Sequence, residues 1–215
     1  MSTVSTPILR PTRSLAKPAL WIVMGLALLS VLVLTEYPYF AHPNPNRTRV
    51  LSEKLAFFPH ALAGLTALCI GPFQFSTRLR KRRLGLHRIL GKVYIGSVVL
   101  SALTSLIISR HLDIVDQPES WIFAETSAQA GLWLLTTLAA FLTARNRHIA
   151  VHRQWMIRSY VITFVFVTSR IPMPLPAIQH MSDPAFTIFL FLLLIASIIL
   201  PDVYFNWKEL TTRRV

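Results

Sequence analysis

Two of the seven histidines in this chain stand in the same local setting. His87-Arg88 and His152-Arg153 each open a long apolar stretch. Imidazole binds iron through a ring nitrogen, and two imidazoles from separate helices at equal depth can clamp a haem between them. At 100° per residue, His87, Gly91, Tyr94 and Ser105 share one helical stripe. His152, Met156, Ser159, Thr163 and Arg170 share another. On this reading His87 and His152 are the axial ligands of one b-type haem and Gly91 clears space beside the ring. Arg88, Arg153 and Arg158 neutralise its propionates, and Tyr94 shapes the pocket. The other reading of the same residues is a pair of interfacial histidines, hydrogen-bonded or holding lipid phosphate together with Arg88 and Arg153.

A second polar group lies at the opposite depth. His60 heads a lane of small residues (Gly64, Ala67, Gly71), Glu125 lines up with Gln129 and Thr136, and Arg170 ends the stripe of His152. A charged side chain at mid-helix costs about 2.5–3.5 kcal/mol on insertion scales, so such groups face the bundle interior and pair. Glu125 and Arg170 have opposite charge and similar depth, which predicts a buried ion pair. His60, Glu125, Gln129 and Arg170 could then bind a quinone head group or a small anionic substrate, relay a proton, or fix helix register. Ser127 stands where a histidine facing His60 would be needed, so a second bis-histidine haem has no partner.

The elements that must position these groups are membrane helices. Hydrophobic residues make up 53% of the 215, charged residues only 14%, and the mean hydropathy is +0.51. A soluble domain carries nearer a quarter charged residues. Six apolar stretches, at about 18–35, 55–75, 87–109, 120–143, 152–171 and 184–205, predict six transmembrane helices of roughly 20 residues each. The whole chain, 1–215, reads as one integral membrane domain of the all-α class, a polytopic helical bundle. Its four-helix core, helices 2–5, spans 57–172, and residues 1–17 form a cytoplasmic tail. Pro59 and Pro72 predict a kink or opening in the second helix.

The net charge of +13 is distributed by side, which argues against nucleic acid as a partner. All but five of the 22 Lys and Arg (Arg47, Arg49, Lys54, Arg110 and Arg170) fall on one side if both termini are cytoplasmic. That asymmetry is the positive-inside pattern of a multi-pass protein in a bacterial plasma (inner) membrane. The Arg78–Arg83 run is a topology determinant, with contact to anionic lipid as a secondary effect. Cys69 is the only cysteine, so no disulfide forms within the chain.

The core also reads as a tandem hairpin repeat. Ala63-Gly64-Leu65 with Leu68 precedes His87-Arg88, as Ala130-Gly131-Leu132 with Leu135 precedes His152-Arg153, and Tyr94 and Tyr160 follow at nearly equal distance. Copies entering from the same side are parallel repeats. Helices 1 and 6, nearly free of polar residues, are expected at the periphery.

Three segments together resemble a known family. They are His60 with Gly64 and Gly71-Pro72-Phe73-Gln74-Phe75; Leu86-His87-Arg88-Ile89-Leu90-Gly91-Lys92-Val93-Tyr94; and His152-Arg153-Gln154-Trp155-Met156-Ile157-Arg158-Ser159-Tyr160 on to Arg170. The chain resembles, over residues 57–172, a bacterial family of predicted integral membrane proteins classed as a domain of unknown function. That resemblance implies a membrane location and a shared core, and no particular activity. More loosely, the bundle is similar to b-type transmembrane cytochromes and ferric-reductase-like domains, which implies haem b and electron transport to a quinone or other small acceptor. Two other classes stay open: a small-molecule transporter or permease, and a non-catalytic membrane subunit. A homo-oligomer or a larger membrane complex is compatible with each.

Overall fold

The computed structural model describes residues 16–37, 41, 54–115 and 121–211. The tail up to residue 15, the connection through His42, Arg47 and Glu53, and Asp116–Glu119 lie outside the described residues. Within them the chain forms helices only. These are α1 (Ala16–Val31, running into a π-helical turn Leu32–Glu36), α2 (Lys54–Gln74), a short α3 (Thr77–Arg82) and α4 (Leu84–Val115). They continue with α5 (Ile122–Arg145), α6 (Ile149–Arg170), a short α7 (Pro176–Gln179) and α8 (Asp183–Thr211).

Each apolar stretch therefore holds one long helix, with two differences of extent. α4 and α8 run past their apolar cores, because polar residues at a membrane boundary continue a helix without entering lipid. His87 accordingly sits inside the first turn of α4, its N–H bonded to the Arg83 carbonyl at 3.1 Å. α2 passes through both Pro59 and Pro72 as one continuous helix rather than breaking there.

Among the described residues, four helices are long and apolar enough to cross a bilayer: α2, α4, α5 and α8. The apolar run of α1, Trp21–Leu34, is shorter. α6 has 22 residues, a full span, but its charged opening and its Ser and Thr side chains lower its hydropathy. Its position explains this. α6 packs against α5, α8, α2 and α1, so protein covers it where lipid covers the others. The core is a ring in which α2 packs along α4, α4 against α5, α5 against α6, and α6 back on α2. α8 lies along α6 as an outer shield, a larger role than the periphery expected of it.

The interior is small and polar, and the surface is large and apolar. Ser97, Ser101, Thr104, Thr136, Thr137, Ser159, Thr163 and Ser169 are buried, while Leu62, Leu103, Leu138, Leu192 and Ile199 are each more than half exposed on the outside. Lipid gives apolar side chains no reason to hide, so close backbone approach and interhelical hydrogen bonds hold such bundles together. Hydroxyls that meet no other helix return to their own backbone. Thr104 Oγ1 donates to the Leu100 carbonyl at 2.7 Å, and Thr136 Oγ1 to that of Leu132 at 2.8 Å.

The two hairpins read as copies differ in form. The first hairpin, α2 and α4, contains α3 in its connection; the second, α5 and α6, closes through a tight turn in which Arg147 takes φ 62°. Tyr94 lies seven residues after His87, but Tyr160 lies eight after His152, and one residue turns a side chain by 100°. Tyr94 points to the bundle axis. Tyr160 turns toward α2, its hydroxyl donating to the Leu68 carbonyl at 3.1 Å. The residue seven after His152 is Ser159, and it is one of the two that Tyr94 meets.

α8 is held on α6 by Arg158. Its Nε donates to Asp202 Oδ1 at 2.9 Å and its Nη2 to the same oxygen. The guanidinium also lies over Trp155 (4.9 Å) and Phe205 (5.0 Å). The Asp202 side chain is 47% exposed, so the ion pair alone contributes up to about 1 kcal/mol. The two cation–π contacts add about 0.5–1 kcal/mol each. Arg158→Ala is therefore expected to lower stability by roughly twice as much as Asp202→Ala. Thermal unfolding in detergent checks this, and equal losses would show that the aromatic contacts contribute nothing.

Candidate functional site

The Arg-rich end of the bundle brings His87 and His152 near each other. The half-buried His152 ring has its Nδ1 2.7 Å from the Ala140 carbonyl. A carbonyl only accepts, so Nδ1 carries the hydrogen and Nε2 keeps its lone pair. His87, on the facing helix α4, lies within electrostatic reach of His152, Arg80 and Arg88. Its Nδ1 is buried and has no hydrogen-bond partner. Gln74, the last residue of α2, is also buried here with Nε2 unpartnered. Its amide stands beside Gly91, where an added Cβ would come to 3.4 Å from Gln74 Oε1.

Below this end, a hydrogen-bonded network fills the centre of the bundle. Tyr94 Oη meets Ser159 Oγ and Thr163 Oγ1, both at 2.9 Å, and Ser159 Oγ meets Thr137 Oγ1 at 2.7 Å. Trp133 Nε1 donates to Thr163 Oγ1 at 2.9 Å. Thr163 also reaches the Ser159 carbonyl at 2.9 Å, and Thr137 that of Trp133 at 2.7 Å. Four hydroxyl hydrogens thus serve five oxygen contacts, three between hydroxyls and two to carbonyls. Tyr94 is fully buried, and these side chains join α4, α5 and α6 at one level.

The opposite end is arranged differently from the expectation. Arg170 Nε donates to Glu36 Oε1 at 3.2 Å, so its partner comes from the π-helical turn after α1. The predicted Glu125–Arg170 pair does not form. Glu125 is 2% exposed, in the first turn of α5, and its Oε1 has no hydrogen-bond partner. The first helix supplies a carboxylate that hydropathy placed at a peripheral helix end. His60 does lie within electrostatic reach of Arg170. Its Nδ1 faces the Ser101 carbonyl at 2.9 Å and therefore carries the hydrogen, while Ser101 Oγ donates to the His60 carbonyl at 3.3 Å. Gln129 is half-buried one turn beyond Glu125.

The structure thus brings together His87 with His152 and Arg88, and His60 with Arg170. It directs Arg158 to Asp202, away from a propionate role, and it places the Tyr94 hydroxyl in the central network rather than at a pocket wall. Arg153 is exposed. Sequence reasoning missed Gln74 and Arg80 at the His87 site. The signal for Gln74 was present, because the lane His60, Gly64, Ala67, Gly71 reaches residue 74 one turn later. Arg80 was hidden in a run that topology already explained. An apolar groove of about 580 Å³ between α2 and α4, lined by residues such as Leu62, Val93, Gly96 and Leu100, includes none of the histidines or arginines.

Among the described residues, no group of three or more His, Cys, Asp or Glu could hold a metal ion. Two histidines suffice only where a cofactor brings the remaining ligands, as a porphyrin does. No curated protein and no solved structure matches this chain, so the likeness to b-type cytochromes finds no counterpart among them. Residues 57–205, which take in most of α2, the other three core helices and most of α8, match the family model described as "Predicted membrane protein (DUF2306)", and the chain belongs to that family of membrane proteins.

Proposed function

We propose that this bundle is a membrane electron carrier that holds one b-type haem at its Arg-rich end between His87 and His152. The observation that carries this reading is the orientation of His152. Its Nδ1–H is spent on a backbone carbonyl at 2.7 Å, which is how metal-bound imidazoles are held with Nε2 free to ligate. Opposite it, His87 lies within electrostatic reach of His152. Gln74 stands beside Gly91 on the His87 stripe, so its amide would have to move for a ring there, and Met156 is buried one turn below His152. Arg88 and Arg153, exposed at the helix openings, are placed to hold propionates at the membrane surface. Tyr94 lies one level below, its hydroxyl tied to Ser159 and Thr163.

Haem b supplies reversible one-electron chemistry when bound. The positive-inside rule puts the Arg-rich end and both termini on the cytoplasmic side of a bacterial plasma membrane, where the electron donor would dock. His60 and Arg170 mark the other end as the meeting place for a quinone or small-molecule acceptor, with Glu125 and Gln129 nearby in α5. An absorption spectrum of the detergent-purified protein, before and after dithionite, tests the reading. The expected result is a Soret band that shifts on reduction and is lost in His87→Ala and in His152→Ala. A colourless protein from haem-replete cells, or full pigment in both variants, sinks it.

A further inference from the structure

The last residue of α2 is an amide in a place where leucine would pack as well. Gln74 is 6% exposed and its Nε2 has no partner; turning the amide over would leave a polar atom in the same position. It adjoins Gly91, one turn along α4 from His87, whose Nδ1 is likewise buried and unpartnered. Arg80, half-buried on α3, and Arg88, exposed in the first turns of α4, both act on His87 electrostatically. Buried polar atoms in native proteins are nearly always paired. Two unpaired ones on adjoining helices, one of them within electrostatic reach of two guanidiniums, describe a place for an acceptor that carries negative charge.

We propose that Gln74, His87, Arg80 and Arg88 bind a phosphate-class oxyanion at the Arg-rich membrane surface. Gln74 Nε2–H and His87 Nδ1–H donate to its oxygens, and the two guanidiniums offset its charge, as arginine does at phosphate sites generally. Donors arriving from α2, α3 and α4 suit a tetrahedral anion better than a planar carboxylate. The site lies where α2 ends and α4 begins, the depth of lipid phosphates. A lipid headgroup and a free phosphate ester are therefore two sources of one chemistry. The site shares His87 and Arg88 with the haem reading but does not require it: iron would take Nε2 of His87 and leave Nδ1–H for the anion, and without haem Arg88 has no propionate to hold.

The test is titration of the detergent-purified full chain, by calorimetry, with inorganic phosphate, dihexanoyl phosphatidic acid and dihexanoyl phosphatidylcholine. Saturable binding of an anion, and not of phosphatidylcholine, is expected. Gln74→Glu, which keeps the size and adds a like charge, should weaken it about tenfold or more, a change of about 1.4 kcal/mol. Phosphatidic acid binding far tighter than phosphate identifies a lipid headgroup; equal affinity identifies a free phosphate. If Gln74→Glu does not fold, Arg88→Gln at an exposed position should still weaken binding several-fold. Anion binding no better than that of phosphatidylcholine, or unchanged in both variants, overturns the proposal. The haem spectrum is recorded in parallel, so that a colourless protein that binds phosphate separates the two readings.

Discussion

Gly71→Ala is expected to destabilise the bundle by about 2–3 kcal/mol, the upper part of the range for overpacking a filled interior. A Cβ at Gly71 would overlap the ring of Tyr160. The ring has little freedom to yield. Its hydroxyl is bonded to the Leu68 carbonyl, and Phe75, Trp21 and Phe164 surround it at centroid distances of 5.7, 6.4 and 6.5 Å. Moving the ring would therefore disturb α1, α2 and α6 together. Gly131→Ala is the control, because nothing lies within 4 Å of a Cβ there. That substitution should be neutral or stabilising by up to about 1 kcal/mol through helix propensity. Thermal unfolding of the two variants side by side decides the matter. Equal melting temperatures would mean that the contact of Gly71 with Tyr160 is not a constraint on the fold. Tyr160→Leu in the Gly71→Ala background should recover part of the loss.

The second large effect is expected at Thr163. Valine there keeps the shape and removes the one oxygen that accepts from Trp133 Nε1 and also meets Tyr94 Oη. Tyr94 can still donate to Ser159, since four hydroxyls share five contacts in the intact network. Trp133, 8% exposed, is then left with only the Tyr94 hydroxyl oxygen within reach, to which it makes no well-formed hydrogen bond in the intact bundle. An orphaned buried donor costs about 1–3 kcal/mol in soluble proteins. Interhelical hydrogen bonds measured in bilayers are weaker, about 0.6 kcal/mol on average and up to about 1.7, because a helix separated within the membrane finds other partners. The loss should fall near 1–2 kcal/mol, between those bounds. Trp133→Phe removes the orphan along with the bond, so the double variant should lose less than the sum of the singles. Strict additivity in a denaturant titration would show that the Trp133–Thr163 bond adds nothing.

Both effects arise from features that hydropathy does not encode, and the same division runs through the molecule. The amino-acid sequence alone determined that this is a bundle of membrane helices. Runs of some 20 apolar residues leave the backbone no other way to satisfy its hydrogen bonds in lipid. It also determined which faces are small and polar, because 3.6-residue periodicity is a local property. The stripes carrying His87 and His152 were legible for that reason, and the two residues lie within electrostatic reach of each other at one end. The tertiary structure decided the partners. Arg170 takes Glu36 instead of Glu125, across 134 positions of chain, because α1 leans on α6. Arg158 takes Asp202, because α8 covers the polar α6 and brings a carboxylate to its side. Gln74 and His87 are left unpaired at the same end, a fact visible only once two helix termini are set against each other. Periodicity gives each side chain an azimuth on its own helix. Pairing also needs the rotation and offset of the neighbouring helix, and close packing of distant segments sets those.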